Sequence, residues 1–231
     1  MRLRGITKSF GDGNSKLTVL KDIDLETRSG EIMMLVGPSG CGKTTLISIM
    51  AGTLDADHGE VEVFGSRLDK MSKRAVTKFR AQNIGFIFQQ FHLIPTLDIV
   101  QNASVPLLIQ GKSTRFAEKK AREALALVGL GDRLKHRPNQ LSGGQQQRVA
   151  IARALVHEPR LIICDEPTAA LDAQNGQLVM ELFENVACAP GRSVVIVTHD
   201  NRIFHHADRI AHMDDGRVVE VHDVDKSASM G

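Results

Sequence analysis

Short apolar runs, each followed by polar or glycine-rich residues, recur along the chain and predict buried strands. Residues 32–36, 84–88, 161–164 and 193–197 are such runs, and uninterrupted apolar runs of this length are typical of parallel strands covered on both faces. Residues 2–10 and 17–27 indicate an antiparallel pair instead, because a glycine-containing turn separates them and the second alternates apolar with polar positions. The pattern therefore predicts an α/β fold with an antiparallel β edge.

Helical periodicity dominates the middle of the chain. From residue 95 onwards apolar side chains recur every three or four positions, as at Ala117, Ala121 and Leu125. We expect this stretch to form a helical lobe inserted into one domain of 1–231. The lobe would span residues 89–159, and the core would comprise residues 1–88 and 160–231.

A glycine-rich loop after the first apolar run carries the clearest chemistry. Residues 37–44, Gly-Pro-Ser-Gly-Cys-Gly-Lys-Thr, fit the spacing GxxxxGK[ST], in which backbone N–H groups surround phosphate oxygens, the lysine reaches the outer phosphates and the hydroxyl binds Mg²⁺. The alternative is a chance glycine-rich turn, and the strand and helix flanks argue against it. The predicted phosphate-binding residues are Gly37, Pro38, Ser39, Gly40, Cys41, Gly42, Lys43, Thr44 and Thr45.

Polar residues follow three of the other predicted strands. Gln89 follows the second apolar run, Asp165 and Glu166 the third, and His199 the fourth. Ligands of open α/β sheets bind at the carboxyl ends of the strands, so we expect these side chains near the phosphate loop. Asp165 is placed to bind Mg²⁺, Glu166 to polarise an attacking water, and His199 to sense the outer phosphate. Taken singly, Gln89 is also explained as a polar strand end and His199 as a structural histidine.

A second glycine-containing helix start lies at residues 141–148. Ser142 occupies an N-cap position and is followed by Gly143, Gly144 and Gln145, so the helix start has the physics of an anion site but lacks a lysine. Alone, it would be interpreted as a capped helix with a flexible lead-in. Together with the phosphate loop, it suggests two half-sites that complete each other across a head-to-tail dimer.

Two further residues are candidates by position. Asp172 precedes a helix-like segment as its cap. Phe10 stands just before a turn, where an aromatic ring could stack on a purine; packing at the edge of the core explains it equally well.

Composition narrows the protein class only slightly. Lysine and arginine total 29 against 27 acidic residues, and the net charge of +2 gives no reason to expect nucleic acid as a partner. The three cysteines, one of them Cys188 in a helix-like segment, suggest no disulfide framework, which fits the cytoplasm. No window approaches the ~18 apolar residues of a spanning helix, so the membrane part of any membrane process would be another chain.

The ordered motifs resemble the ATP-binding subunit of ABC transporters over nearly the whole chain. They are Walker A at 37–44, the Q-loop at Gln89, LSGGQ at 141–145, Walker B through Asp165 with Glu166 beside it, the D-loop at Asp172 and the switch His199. The resemblance implies a P-loop NTPase (RecA-like) core, and one ABC ATP-binding domain. It also implies that the LSGGQ residues Ser142, Gly143, Gly144 and Gln145 of one copy close over ATP on the Walker A of the other, and that Asp172 of the D-loop is a nucleotide-binding residue.

Two short stretches resemble one branch of that family. Residues 86–95, FIFQQFHLIP, and 165–172, DEPTAALD, are similar to lipoprotein-release, macrolide-export and heterocyst glycolipid-export ATPases. Two positions depart from the family pattern. The adenine-stacking tyrosine corresponds to Phe10, so stacking survives without a hydroxyl, and the D-loop serine is Ala169, which puts a hydrogen bond from that side chain across the dimer in doubt.

The resemblance implies Mg²⁺-dependent ATP hydrolysis by a homodimer coupled to an integral membrane permease. Lys43 would hold phosphate oxygens, Thr44, Gln89 and Asp165 would serve the metal, and His199 and the partner's Ser142 would stabilise the transferring group. The expected location is peripheral, on the cytoplasmic face of the bacterial plasma membrane, and the expected process is export or extraction of a lipid, lipoprotein or drug-like substrate.

Two alternatives stay open from sequence. One is a mechanotransmitting or regulatory ATPase of the same branch that moves a permease-like partner without cargo. The other is a non-transport ABC ATPase acting on nucleic acid or ribosomes. Such proteins usually carry two cassettes or a long coiled coil, neither of which is present, so no nucleic acid is expected.

Overall fold

The computed structural model describes residues 1–169, 171–187, 189 and 191–225. The helix-like position predicted for Cys188 lies outside these residues. Within them, ten strands form two sheets. The strands are β1 (Arg2–Phe10), β2 (Leu17–Glu26), β3 (Ile32–Val36), β4 (His58–Val63), β5 (Ser66–Arg67), β6 (Ile84–Ile87), β7 (Leu161–Asp165), β8 (Ser193–Val197), β9 (Arg209–Asp214) and β10 (Arg217–Asp223).

Strand order confirms the predicted α/β fold with an antiparallel edge. A four-stranded antiparallel sheet has the order β2-β1-β4-β5, and a six-stranded sheet has the order β10-β9-β3-β8-β7-β6. In the larger sheet β9, β3, β8, β7 and β6 are parallel, and β10 pairs antiparallel with β9. The strand before the phosphate loop, β3, therefore lies between two strands from the end of the chain.

Six helices of at least eight residues occur in the described part of the chain. They are α1 (Lys43–Met50), α2 (Lys73–Asn83), α3 (Ile99–Ile109), α4 (Thr114–Leu127), α5 (Gly143–Leu155) and α6 (Ala173–Ala187), and short 3₁₀ helices occupy Gly13–Ser15, Leu68–Lys70, Pro138–Gln140 and Asn201–His206. Helices α3 to α5 lie between β6 and β7 in the chain, where the lobe was predicted. None of the helices described is long and apolar enough to cross a membrane.

Side-chain caps define where several helices begin. Ser142 Oγ accepts a hydrogen bond from the backbone N–H of Gln145 at the start of α5, and Asp172 accepts one from Asn175 at the start of α6. Such caps satisfy N–H groups that have no partner inside the helix. The predicted N-cap roles of Ser142 and Asp172 are therefore confirmed.

The six-stranded sheet separates two hydrophobic cores. On β3, Met33 and Leu35 face a core shared with α1 and the antiparallel sheet, while Ile32, Met34 and Val36 face the core that contains α3 to α6. Alternate residues of a strand point to opposite faces, so burial of both faces explains the uninterrupted apolar runs in the sequence. The helices inserted between β6 and β7 share one of these two cores with the sheet.

Candidate active site

The loop before α1 is shaped by close backbone approaches at two glycines. Gly37 has a φ of 151°, and a Cβ there would lie 2.1 Å from the carbonyl oxygen of Met213 on β9. Gly42 has a φ of 101°, and its Cβ would lie 2.8 Å from Leu20 and 3.0 Å from the Val19 oxygen. Only glycine fits both positions. The loop is thus packed between β9 and β2, and backbone atoms of these two strands leave no room for a side chain at Gly37 or Gly42.

Lys43 opens α1 and folds back over the loop. Its Nζ donates hydrogen bonds to the carbonyl oxygens of Gly37 and Pro38, each at 2.8 Å. It also lies 3.7 Å from the Sγ of Cys41, whose side chain is buried. Cys41 can therefore offer a ligand only its backbone. An ammonium with three donors at a helix N-terminus provides positive charge suited to phosphate oxygens.

Thr44 and Asp165 bring oxygen ligands together from two elements. The Thr44 hydroxyl donates to Asp165 Oδ2 at 3.3 Å, joining the first turn of α1 to the end of β7. Burial raises the pKa of Asp165 and the charge of Glu166 raises it further, while the Thr44 hydrogen bond and Lys43 act in the opposite direction. A carboxylate and a hydroxyl are hard oxygen donors of the kind Mg²⁺ prefers. The donor set therefore fits Mg²⁺, and a cation would offset the cost of ionising Asp165.

Glu166 and His199 form a direct pair at the ends of β7 and β8. His199 Nδ1 lies 2.8 Å from Glu166 Oε1, and the side chains are 73% and 11% exposed, respectively. Glu166 has a φ of 51°, a left-handed conformation that costs a non-glycine residue about 1–2 kcal/mol. Its backbone N–H donates to the Val197 oxygen of β8 at 2.9 Å, which holds it there. Backbone strain of this kind clusters at functional sites.

These groups surround a single cleft of about 620 Å³. It is lined by Val19, Gly37, Pro38, Ser39, Gly40, Gly42, Lys43, Thr44, Thr45, Gln89, Asp165, Glu166, Val197 and His199. The predicted residues from α1 and from the ends of β6, β7 and β8 are therefore brought together, because β3, β8, β7 and β6 are consecutive in the sheet. The sequence did not indicate Val19 and Val197.

Phe10 lies outside the lining of this cleft. It ends β1, its residue surface is 45% exposed, and the Lys8 ammonium lies 5.6 Å from the centre of its ring. An exposed aromatic face remains accessible to a stacking partner. The structure therefore places Phe10 on the surface, where the ring is accessible from solvent.

The signature residues lie away from the cleft lining. Ser142 and Gln145 pair with each other: the Ser142 Oγ accepts from the Gln145 backbone at 3.3 Å, and the Ser142 backbone N–H donates to Gln145 Oε1 at 3.0 Å. Ser142 and Gly143 are exposed. Asp172 accepts from the backbone and side chain of Asn175, and these hydrogen bonds lower its pKa. None of these residues, nor Gly144, lines the cleft of its own chain.

Two polar residues of α5 bind backbone that follows the cleft residues Glu166 and Gln89, and neither was predicted from the sequence. Gln147 is 2% exposed and donates to the Pro167 oxygen at 3.0 Å, just after Glu166. Arg153 donates to the carbonyl oxygens of Phe91 and His92 at 2.8 and 2.6 Å, just after Gln89.

Burial lowers the pKa of Arg153. Both side chains sit among apolar positions of α5, since Gln147 is followed at three and four residues by the buried Ala150 and Ile151. A polar residue on the apolar stripe of a helix is the signal that would have found them.

Residues 20–169 match the family model described as ABC transporter. The chain is 47% identical to the lipoprotein-releasing system ATP-binding protein LolD of Bacteroides thetaiotaomicron, over 94% of this chain and 98% of that protein. It is 42% identical to the macrolide export ATP-binding/permease protein MacB of Wolinella succinogenes, over 94% of this chain and 34% of that protein.

A solved structure is also similar over almost the full chain. It is the dimeric structure of a post-hydrolysis state of the ATP-binding cassette MJ0796 bound to ADP and Pi. The TM-score is 0.91 at 37% sequence identity, and the match covers 97% of this chain and 98% of that one.

Proposed function

Because the chain belongs to the ABC transporter family and is one of its ATP-hydrolysing subunits, we propose that two copies enclose ATP between them and drive an integral membrane permease. The observation that carries the proposal is the cleft, where the phosphate loop meets Gln89, Asp165, Glu166 and His199. The signature residues Ser142 to Gln145 lie outside that lining. We infer that the signature residues of a second copy complete the site, since those of the same chain lie outside the cleft.

The phosphate-binding role belongs to the loop and α1. Backbone N–H groups of Gly37 and of residues 39–45, together with the Lys43 ammonium, hold the β- and γ-phosphate oxygens, using the positive end of α1. Thr44, Asp165 and Gln89 are the residues that would hold Mg²⁺, which when bound neutralises charge on the phosphate oxygens. Phe10 stacks on the adenine through its exposed ring face.

The hydrolytic role belongs to the Glu166–His199 pair. Glu166 accepts a proton from the attacking water and orients it, and its left-handed backbone aims the carboxylate into the cleft. The 2.8 Å contact lets His199 fix the orientation of that carboxylate while its exposed edge senses the outer phosphate. A base oriented by a third group is the usual arrangement in acid–base catalysis. Lys43 and His199 then stabilise charge on the transferring group.

Completion of the site falls to the second copy. Ser142, Gly143, Gly144, Gln145 and Asp172 would approach the ATP of the partner from across a head-to-tail interface. A likeness at TM-score 0.91 to a dimeric cassette supports this arrangement. The helical lobe, residues 89–159, would carry the signature as one unit against the core of 1–88 and 160–231. Arg153 and Gln147 would transmit its position to Gln89 and Glu166.

The relatives support a membrane partner and a substrate class for the proposed function. A lipoprotein-releasing ATP-binding protein and a macrolide export protein are both similar over 94% of this chain. We place the dimer on the cytoplasmic face of a bacterial plasma membrane, bound to a separate permease that exports or extracts a lipid, lipoprotein or drug-like substrate.

The test is copurification from detergent-solubilised membranes of the source organism. The tagged Glu166→Gln variant with ATP is expected to retain its permease, and an untagged strain gives the background. Stimulation of wild-type ATPase activity by the recovered permease, together with movement of a lipid or drug-like substrate in proteoliposomes, would support transport. Stimulation without substrate movement would favour a mechanotransmitting role. Enrichment of ribosomes or nucleic acid instead of a membrane protein would overturn the proposal.

A further inference from the structure

Three potential metal ligands meet on the β9–β10 hairpin, outside the cleft. His212 on β9 and Glu220 and His222 on β10 each offer one ligand atom, and these atoms lie within 4.8 Å of one another. None of the three lines the ATP cleft. Two imidazoles and one carboxylate form a donor set that suits zinc and similar transition metals.

A β-bulge places these residues on one face. In the pairing of β9 with β10, Met213 lies opposite Val218, but the next position, His212, lies opposite Glu220. Val219 is therefore an extra residue on β10. Residues directly opposite each other in an antiparallel pair point to the same side of the sheet. If Val219 instead paired with His212 in a regular ladder, Glu220 and His222 would point to the other face, away from His212.

The side chains are close but weakly engaged by the protein itself. The rings of His212 and His222 stack at 5.3 Å between centroids, and His222 Nδ1 lies 3.8 Å from Glu220 Oε1. Within the part of the chain that the structure describes, the His212 side chain has no hydrogen bond. The Glu220 and His222 side chains are 65% and 42% exposed, respectively. An exposed pair at this distance contributes little to stability, so the bulge is not explained by the ion pair.

The geometry is within reach of coordination. Zinc–imidazole bonds of about 2.0–2.1 Å place two ligand atoms of a tetrahedral site about 3.3 Å apart. The ligand atoms therefore need to close from a span of up to 4.8 Å. Rotations of the exposed Glu220 and His222 side chains can provide that movement, and solvent on the same side supplies the remaining ligand.

We propose that the β9–β10 hairpin binds one zinc-class transition metal ion through His212, Glu220 and His222. The hairpin also supports the phosphate loop. His212 pairs with Val36 of β3, and the Met213 oxygen lies against Gly37. A metal here would clamp β10 to the strand that borders the loop, independently of ATP hydrolysis.

The test is a zinc titration of chelator-treated protein without a histidine tag, followed by calorimetry. The expected result is one ion per chain, with affinity lowered at least about tenfold in each of His212→Ala, His222→Ala and Glu220→Gln. His58→Ala removes another exposed histidine, on β4, and should leave the affinity unchanged. Equal binding by the wild type and the three hairpin variants would overturn the proposal.

Two further variants localise the ion. The double change Val221→His with His222→Val keeps all three ligand types but moves one imidazole to the other face of the hairpin, so it should lower zinc affinity as far as His222→Ala does, while circular dichroism retains the wild-type spectrum. If that variant does not fold, Co²⁺ absorption of the wild type against His222→Ala decides the question. His199→Ala tests the ATP cleft as the competing location. Loss of zinc in this variant, with zinc retained in the hairpin variants, would refute the hairpin site.

Discussion

Glycines lie at the starts of both α1 and α5, yet the two helix starts differ in how many backbone N–H groups remain available to a ligand. The N-cap of α1 is Gly42, which provides no side-chain hydrogen bond to the helix. The N-cap of α5 is Ser142, which forms a reciprocal capping box with Gln145. The first turn of α1 therefore presents N–H groups to a ligand, while α5 satisfies part of its own.

The glycines themselves differ between the two helix starts. Gly37, Gly40 and Gly42 all have positive φ, and two of them touch backbone or side chains of other strands. Gly143 and Gly144 belong to the helix, and a Cβ on Gly144 would meet side chains and no backbone, Leu171 at 3.2 Å and Asn175 at 3.9 Å. The difference shows that one region is shaped as a ligand cradle within the chain. The start of α5 is a capped helix end on the surface, and a second molecule must approach it before it can contribute to a ligand site.

The largest effect expected is the loss of turnover when Glu166, the proposed general base of the cleft at the start of α1, is replaced. Glu166→Gln keeps the shape and the contact with His199 but cannot accept a proton. Turnover is expected to fall roughly 10²–10⁴-fold, the usual contribution of a general base, while ATP affinity stays near wild type. The measurements are steady-state ATPase assays and binding of a fluorescent nucleotide. Wild-type turnover would remove Glu166 from its proposed role.

Mixing two inactive variants tests whether the α5 side acts in trans. Lys43→Ala damages the cradle and Ser142→Arg the signature, so each homodimer has two defective sites. A heterodimer has one site with both defects and one with neither. Random mixing should then restore roughly a quarter of wild-type sites, as expected for a symmetric two-site dimer.

The Ser142 change also costs about 1 kcal/mol of helix capping, which a thermal melt of the variant measures. Absence of any activity on mixing two folded variants would place the signature and the cradle in the same chain or in no common site.

Matched glycine substitutions separate strain from direct clash in the cradle. Gly37→Ala would place a Cβ 2.1 Å from the Met213 oxygen, whereas nothing lies within 4 Å of a Cβ on Gly40. Gly40→Ala should therefore cost only the left-handed penalty of about 1–2 kcal/mol. Gly37→Ala should destabilise more and weaken ATP binding, because backbone must move. Urea unfolding and nucleotide titration of both variants provide the comparison, and equal losses would contradict it.

The smallest effect expected is a gain in thermal stability when the proposed metal ligand Asp165 is replaced by asparagine. Burial raises the pKa of Asp165, so its contribution to stability is present below the unfolded pKa and is lost as pH rises through the folded pKa. At neutral pH, without nucleotide, Asp165→Asn should melt higher than wild type, and the gap should close towards pH about 4.

Asp69 is the matched control with the opposite sign. Its hydrogen bond from Arg67 lowers its pKa, so its contribution is present above the unfolded pKa and is lost as pH falls through the folded pKa. Asp69→Asn should therefore melt lower than wild type at neutral pH. Thermal melts of both variants across this pH range check the two signs together.

The sequence was sufficient for the parts of the site that depend on strand ends. Asp165, Glu166 and His199 follow apolar runs, and parallel strands end at one edge, so their convergence could be predicted. Their pairing could not, because the 2.8 Å contact of His199 with Glu166 depends on β7 and β8 being neighbours and on the positive φ of Glu166.

Contacts between segments far apart in the chain could not be predicted from local sequence patterns. The approach of Met213 to Gly37 depends on β9 lying beside β3. The hydrogen bonds from Arg153 to the carbonyl oxygens of Phe91 and His92 depend on where α5 packs. Periodicity reports which side of an element is apolar, but it does not report which partner covers it. The capping box at Ser142, by contrast, is local, and spacing alone predicted the cap.

The position of β3 between β8 and β9 has a consequence for biosynthesis. The phosphate loop leaves the ribosome before β9, but the carbonyl that borders Gly37 belongs to Met213 of β9. Contacts of such large sequence separation form late in folding. A nascent chain stalled before β9 would therefore carry the complete loop sequence without its final shape, and the loop should capture ATP only after β9 has been synthesised.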